Sequence, residues 1–185
     1  MSNGLFPDDR IKSTYQVDFE KLYKKGYRGV LFDIDNTLVP HDAPADDRAK
    51  ALFMRLQGIG YKVYLVSNNE EPRVKSFAEA VGADGYVYKA GKPLAKGYAE
   101  AIRRMGLEDK QVVFFGDQIY TDIWGGGHAG IYTVMVGRIS AKEPFHIHLK
   151  RILEAPVVFL YILCKAAGGA KRPVPVLEAN TSDGR

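Results

Sequence analysis

Between residues 29 and 136, short apolar runs alternate with longer stretches in which apolar positions return every three or four residues. The runs at 29–32, 62–66, 86–88, 112–115 and 132–136 read as strands. The periodic stretches at 46–57, 72–81, 94–105 and 122–129 read as amphipathic helices, with a shorter one at 19–25. Gly58 and Gly60, Gly82 and Gly106 each follow a periodic stretch, where helices stop. Regular strand–helix alternation predicts one α/β domain, Rossmann-like, with a parallel five-stranded sheet flanked by helices.

The flanks read differently. Residues 1–28 form an N-terminal extension with the short helix, and 29–140 form the core. Residues 141–167 are a helical and apolar C-terminal segment, interrupted at Pro156. From 168 to 185 the chain is rich in Gly, Pro and polar residues and reads as a disordered tail. The longest apolar run, 155–164, is about half of the roughly 20 residues a spanning helix needs. No repeat interrupts this layout.

Composition narrows the classes. With 46% hydrophobic and 26% charged residues, the chain is neither a membrane bundle nor a disordered polymer. A single cysteine, Cys164, excludes an internal disulfide framework and fits a reducing cytoplasm. Its place in an apolar run suits an inert thiol. The start has neither the basic nor the apolar block of a signal peptide. A net charge of +4 favours anionic partners slightly, but no basic block or aromatic-basic stripe signals nucleic acid.

The chemistry lies where the strands stop. Asp33 and Asp35 follow the first strand one residue apart, and two such anions invite a divalent cation with oxygen ligands. Ligands of a parallel sheet bind beyond the carboxyl ends of its strands, so other strand ends should carry polar groups as well. The second strand is followed by Ser67-Asn68-Asn69 and the third by Lys92-Pro93, with Pro93 placed as a first helical residue. The fourth is followed by Gly116-Asp117-Gln118 and Thr121-Asp122. Ser67 alone could be a helix cap, Lys92 a surface cation, and Asp117 and Asp122 turn residues. Together they are the groups that metal-assisted phosphoryl transfer requires.

In that order, Asp33-x-Asp35-x-Thr37, Ser67, Lys92 and Gly116-Asp117-x-x-x-x-Asp122 resemble the four motifs of the haloacid dehalogenase-like superfamily of phosphatases. Asn36-Thr37-Leu38-Val39, Ser67-Asn68-Asn69, Lys92-Pro93, Phe6-Pro7-Asp8 and Gly26-Tyr27-Arg28-Gly29 are similar to its YqeG-type (subclass IIIA) subgroup, whose relatives include phosphatidylglycerophosphate phosphatases. The resemblance implies that Asp33 is the nucleophile of an aspartyl-phosphate mechanism and Asp35 the general acid and base. It implies Mg²⁺ held by Asp33, the backbone carbonyl of Asp35, and Asp117. Thr37, Ser67, Asn68 and Lys92 would bind the transferring phosphate, Lys92 also acting catalytically. Asn36 and Asp122 would support them, Asp122 by orienting Lys92 or a metal-bound water. Asn69 and Gln118 read as further supporting groups, and His41 and Asp42 as a surface turn after Pro40.

Neither interval between motifs has room for a lid, since 38–67 and 69–92 each hold one helix and one strand. An open cleft suits a phosphate displayed on something large, and the resemblance makes phosphatidylglycerophosphate the leading substrate. Apolar residues at 145–163, edged by Lys150, Arg151, Lys165, Lys171 and Arg172, read as a peripheral membrane contact on the inner face. The same segment also fits a helix covering the sheet or a dimer surface. Nucleic acid ends, a phosphoprotein, and a non-catalytic phosphoacceptor or scaffold domain are the other readings. Asp35 speaks against the last of these, since a phosphoacceptor has no need of a second acid. Oligomeric state is not legible.

Overall fold

A computed structural model describes residues 6–140, together with Pro156, Val157, Phe159, Leu160 and Leu163. The sheet has six strands, all parallel: β1 (Asp9–Ile11), β2 (Gly29–Phe32), β3 (Lys62–Val66), β4 (Gly85–Val87), β5 (Val112–Gly116) and β6 (Tyr132–Val136), in the order β1-β6-β5-β2-β3-β4. The chain crosses from β2 to β3 on one side and reaches β5 on the other. β2 therefore flanks the switch point, where such sheets open a crevice. Asp33 is the first residue beyond it.

The additional strand is β1. Its sequence, Asp-Arg-Ile, is too short and polar to register as an apolar run. It is held at the edge by register with Val134–Val136 and by Asp8, whose carboxylate accepts from the Thr133 amide at 2.9 Å.

Among the described residues, the sheet is covered by α1 (Phe19–Lys24), α2 (Asp47–Ile59), α3 (Glu71–Val81), α4 (Lys96–Met105) and α5 (Trp124–His128). α2 begins at Asp46, whose carboxylate caps the Ala49 amide at 2.8 Å, and ends at Gly60 in the left-handed region. Alternate strand residues sort the core into two layers. Val30, Phe32, Val63, Leu65, Val113 and Phe115 meet Phe19, Phe53, Leu56, Val74 and Phe77 of α1–α3. Leu31, Tyr64, Val66, Val112 and Phe114 meet Tyr98, Ala101, Ile102 and Met105 of α4. Stacking of Phe32 on Phe115, at 5.3 Å between centroids, fastens the two strands that carry Asp33 and Asp117.

Two predicted boundaries shift close to the site. Residues 91–94 are spent in a turn, with the Leu94 amide donating to the Gly91 carbonyl at 2.9 Å, so α4 starts at Lys96 and Pro93 is not its first residue. The helix predicted over 122–129 is split. A π-turn (Ile119–Ile123) precedes α5, with the Ile123 amide reaching back five residues to the Gln118 carbonyl at 3.2 Å. Of the C-terminal segment, 141–155 and the tail 168–185 lie outside the described residues. The described part is helical, and Val157 packs on Ile119, Ile123 and Met135. Among the described residues no helix is long and apolar enough to cross a membrane.

Candidate active site

The loops after β2, β3, β4 and β5 meet around Lys92. Its buried ammonium donates to Asp33 Oδ1 at 2.7 Å and to Asp122 Oδ1 at 2.6 Å, joining groups 59 and 30 residues apart in sequence. Asp117, itself buried, brings a third carboxylate, and oxygens of Asp33, Asp117 and Asp122 lie within 4.8 Å of one another. Close approach depends on Gly116, since a Cβ there would stand 2.5 Å from the Asp122 Cβ. The π-turn lets Asp122 serve two donors at once: Lys92 on Oδ1, and the Gln118 amide on Oδ2 at 3.0 Å.

Burial shapes the charges. It opposes the Lys92 ammonium, yet Asp122 and then Asp33 outweigh it and hold the group above the ordinary lysine range. Burial pushes the Asp33 carboxyl up; Lys92 pulls it back, Asp122 and Asp35 push again, and it rests at about 7. With Asp33 ionised, three buried carboxylates face one buried ammonium, an excess of two negative charges. An all-oxygen set with that deficit fits a divalent cation such as Mg²⁺.

The loop after β2 wraps around its own backbone. The Ile34 carbonyl accepts from the Leu38 amide at 2.9 Å, and Asn36, at φ 59°, donates its amide to the Val39 carbonyl at 2.7 Å. Asn36 Oδ1 accepts from the Ser140 amide at 3.1 Å, tying this loop to the segment after β6. The Thr37 hydroxyl is buried with no hydrogen-bond partner among the described residues, which suits an oxygen arriving with a substrate. Ser67 is buried, and its Oγ accepts from the Asn69 amide at 3.2 Å.

Two expected residues do something more specific than the sequence suggested. Asn68 clamps the backbone of Lys92, accepting from its amide at 2.8 Å and donating to its carbonyl at 3.1 Å. It therefore fixes the backbone of the lysine at the centre of the cluster. The Asp35 carboxylate accepts from the Asp42 amide, Asn69 and Arg73. His41 lies near this second carboxylate, 3.4 Å from Asp42.

The comparisons agree with this geometry. The model of the haloacid dehalogenase-like hydrolases matches residues 41–130. "Probable phosphatase YqeG" of Bacillus subtilis (strain 168) is 37% identical over 153 residues, which cover 82% of this chain and 88% of that protein. The chain is a haloacid dehalogenase-like hydrolase of the YqeG type. As such it is a phosphatase. "Phosphatidylglycerophosphate phosphatase 1, chloroplastic/mitochondrial" of Arabidopsis thaliana is 29% identical over 168 residues; the match covers 81% of this chain but only 46% of the plant protein. Among solved structures, the cobalt-bound deoxy-D-mannose-octulosonate 8-phosphate phosphatase of Haemophilus influenzae shares the fold. Its TM-score is 0.51 at 16% identity, over 69% of this chain and 75% of that one.

Several residues of this hydrolase act at the site without any sequence signal. Tyr98 of α4 donates its hydroxyl to the Thr121 carbonyl at 2.9 Å, fixing the backbone beside Asp122. Thr14 Oγ1 donates to the Thr37 carbonyl at 2.8 Å and the Tyr15 hydroxyl to the Leu38 carbonyl at 2.6 Å. These two latch the loop that follows Asp33 from upstream of the core. Arg73 belongs with them, and only its contacts reveal it.

Proposed function

We propose that this phosphatase is a Mg²⁺-dependent phosphomonoesterase that works through an aspartyl-phosphate on a phosphate displayed by something large, with phosphatidylglycerophosphate at a membrane as the leading substrate. The observation that carries the reading is the buried cluster of Asp33, Asp117 and Asp122 around Lys92 at the strand ends. Held by Asp33, Asp117 and the carbonyl of Asp35, Mg²⁺ would offset the repulsion between a carboxylate nucleophile and an anionic ester. The Asp33 carboxylate attacks phosphorus as the bond to the leaving oxygen breaks, and Asp35 protonates that oxygen. Asp35 then takes a proton from water as the water attacks phosphorus, releasing phosphate and restoring Asp33. Lys92, Thr37 and Ser67 hold the phosphoryl oxygens, Asn68 and Asp122 hold Lys92, and Asn36 shapes the loop.

Two features support a large, surface-displayed substrate. Only α2 and β3 lie between the first two motifs, and only α3 and β4 before Lys92, so no cap covers the cleft among the described residues. Phe159, Leu160 and Leu163 are 62%, 52% and 48% exposed, while Val157 packs beside the π-turn, favouring a peripheral contact with anionic lipid at the inner membrane face. The test is turnover with and without Mg²⁺, against Asp33→Asn, over phosphatidylglycerophosphate vesicles, nucleic acid ends, phosphopeptides and soluble sugar phosphates. The lipid should give the highest kcat/KM, and only with metal. Preference for another class overturns the substrate reading; metal-independent turnover overturns the mechanism.

A further inference from the structure

Asp35 is gripped by both carboxylate oxygens. Oδ1 accepts from the Asp42 amide at 2.9 Å and from Arg73 Nη2 at 3.1 Å, while Oδ2 accepts from Asn69 Nδ2 at 2.6 Å. The same Arg73 nitrogen donates to the Ala43 carbonyl at 2.7 Å, so the guanidinium bridges Asp35 and the turn after it. The pair is partly buried, with side-chain exposures of 23% for Arg73 and 13% for Asp35, and Arg73 lies 5.5 Å over the Phe77 ring. An ion pair in that setting is shielded from solvent and fixed in direction, unlike a surface pair. All three groups donate. The carboxylate's rotation is therefore blocked at both oxygens.

We propose that Arg73 and Asn69 are positioning residues for the second half of the reaction, holding Asp35 to take the proton from the water that cleaves the aspartyl-phosphate. The inference rests on the aspartyl-phosphate reading above. In this half-reaction the water oxygen bonds to phosphorus and the bond from phosphorus to Asp33 Oδ breaks. The bond's electron pair returns to the Asp33 carboxylate, and the water's proton passes to Asp35. Asp42 contributes only its backbone, so the clamp depends on Arg73 from α3 and Asn69 from the end of β3.

The p-nitrophenolate leaving group needs little protonation, which separates the two half-reactions experimentally. With p-nitrophenyl phosphate and Mg²⁺, Arg73→Ala and Asn69→Ala should each lower kcat about 10- to 100-fold, as misplacement of a reacting group does. KM should fall in parallel, leaving kcat/KM within about twofold of wild type, because phosphoenzyme accumulates. A burst of p-nitrophenolate should appear, and acid-quenched phosphoenzyme should decay 10- to 100-fold more slowly. Arg73→Lys, which keeps one donor to Asp35, should recover part of the decay rate. Phosphoenzyme that decays at the wild-type rate in both alanine variants overturns the proposal, as does a loss in kcat/KM equal to that in kcat. Absence of any acid-stable phosphoenzyme in wild type and variants alike overturns the aspartyl-phosphate reading itself and so is distinguishable.

Discussion

Replacing Asp33 by Asn should abolish turnover and at the same time stabilise the metal-free protein above neutral pH. Asp33 is buried, and its carboxyl is raised from an ordinary 3.8 to about 7 in the fold. A carboxyl raised in this way contributes stability that is fully present below the unfolded value and is lost as pH rises through 7. At about 1.4 kcal/mol per unit, the native protein loses roughly 4 kcal/mol from this one group between pH 4 and pH 8. Asn is neutral throughout and keeps an oxygen for Lys92, so Asp33→Asn removes that loss. The pull of Lys92 on the carboxylate is already contained in the value of about 7, so the expected gain is about 3–4 kcal/mol at pH 8. The gain should vanish by pH 4, where Asp33 itself is neutral. Urea unfolding in EDTA across this range measures it, and Mg²⁺ should then stabilise wild type more than the variant. A variant less stable than wild type at pH 8, or a gain independent of pH, would refute the assignment of buried, incompletely compensated charge to Asp33.

Other perturbations probe how the cluster is held. Gly116→Ala puts a Cβ 2.5 Å from the Asp122 Cβ, so Asp122 must move and Lys92 loses its firmest partner. Stability should fall by about 1–3 kcal/mol and kcat by about 100-fold, read by thermal melting and p-nitrophenyl phosphate turnover. Tyr15→Phe deletes the bond to the Leu38 carbonyl, which should cost about 1 kcal/mol in urea unfolding. It should also lower kcat several-fold by loosening the loop that follows Asp33, and an unchanged kcat would show that the latch serves the fold alone.

What the sequence made legible was whatever repeats or punctuates. Five strands are continuous apolar runs and were readable as such; β1 was not, because three residues with one apolar side chain make no pattern. Asp33 and Asp117 could be drawn to one edge because each follows a strand directly, and Lys92 and Asp122 because each lies in the connection just after one. Their hydrogen bonds could not, since those depend on how four loops meet. Asn68 shows the difference: its position after β3 pointed to phosphate, whereas its amide spans the backbone of a lysine 24 residues away. Arg73 gave no sign at all. On a helix it reads as an exposed cation, and only its distance to Asp35 separates it from the others of that face.

The latches on the loop that follows Asp33 also set when the enzyme can first work. Thr14 and Tyr15 reach the loop from 23 residues upstream, but the β1 that steadies them pairs with β6, and Asn36 is tied to Ser140, 104 residues downstream. A chain emerging from the ribosome carries Asp33 early and its last motif residue at 122, yet the loop's tie to Ser140 waits until residues 132–140 follow. Chemical competence therefore arrives later than the chemical groups. A nascent chain stopped before β6 would display all four motifs and be unable to use them.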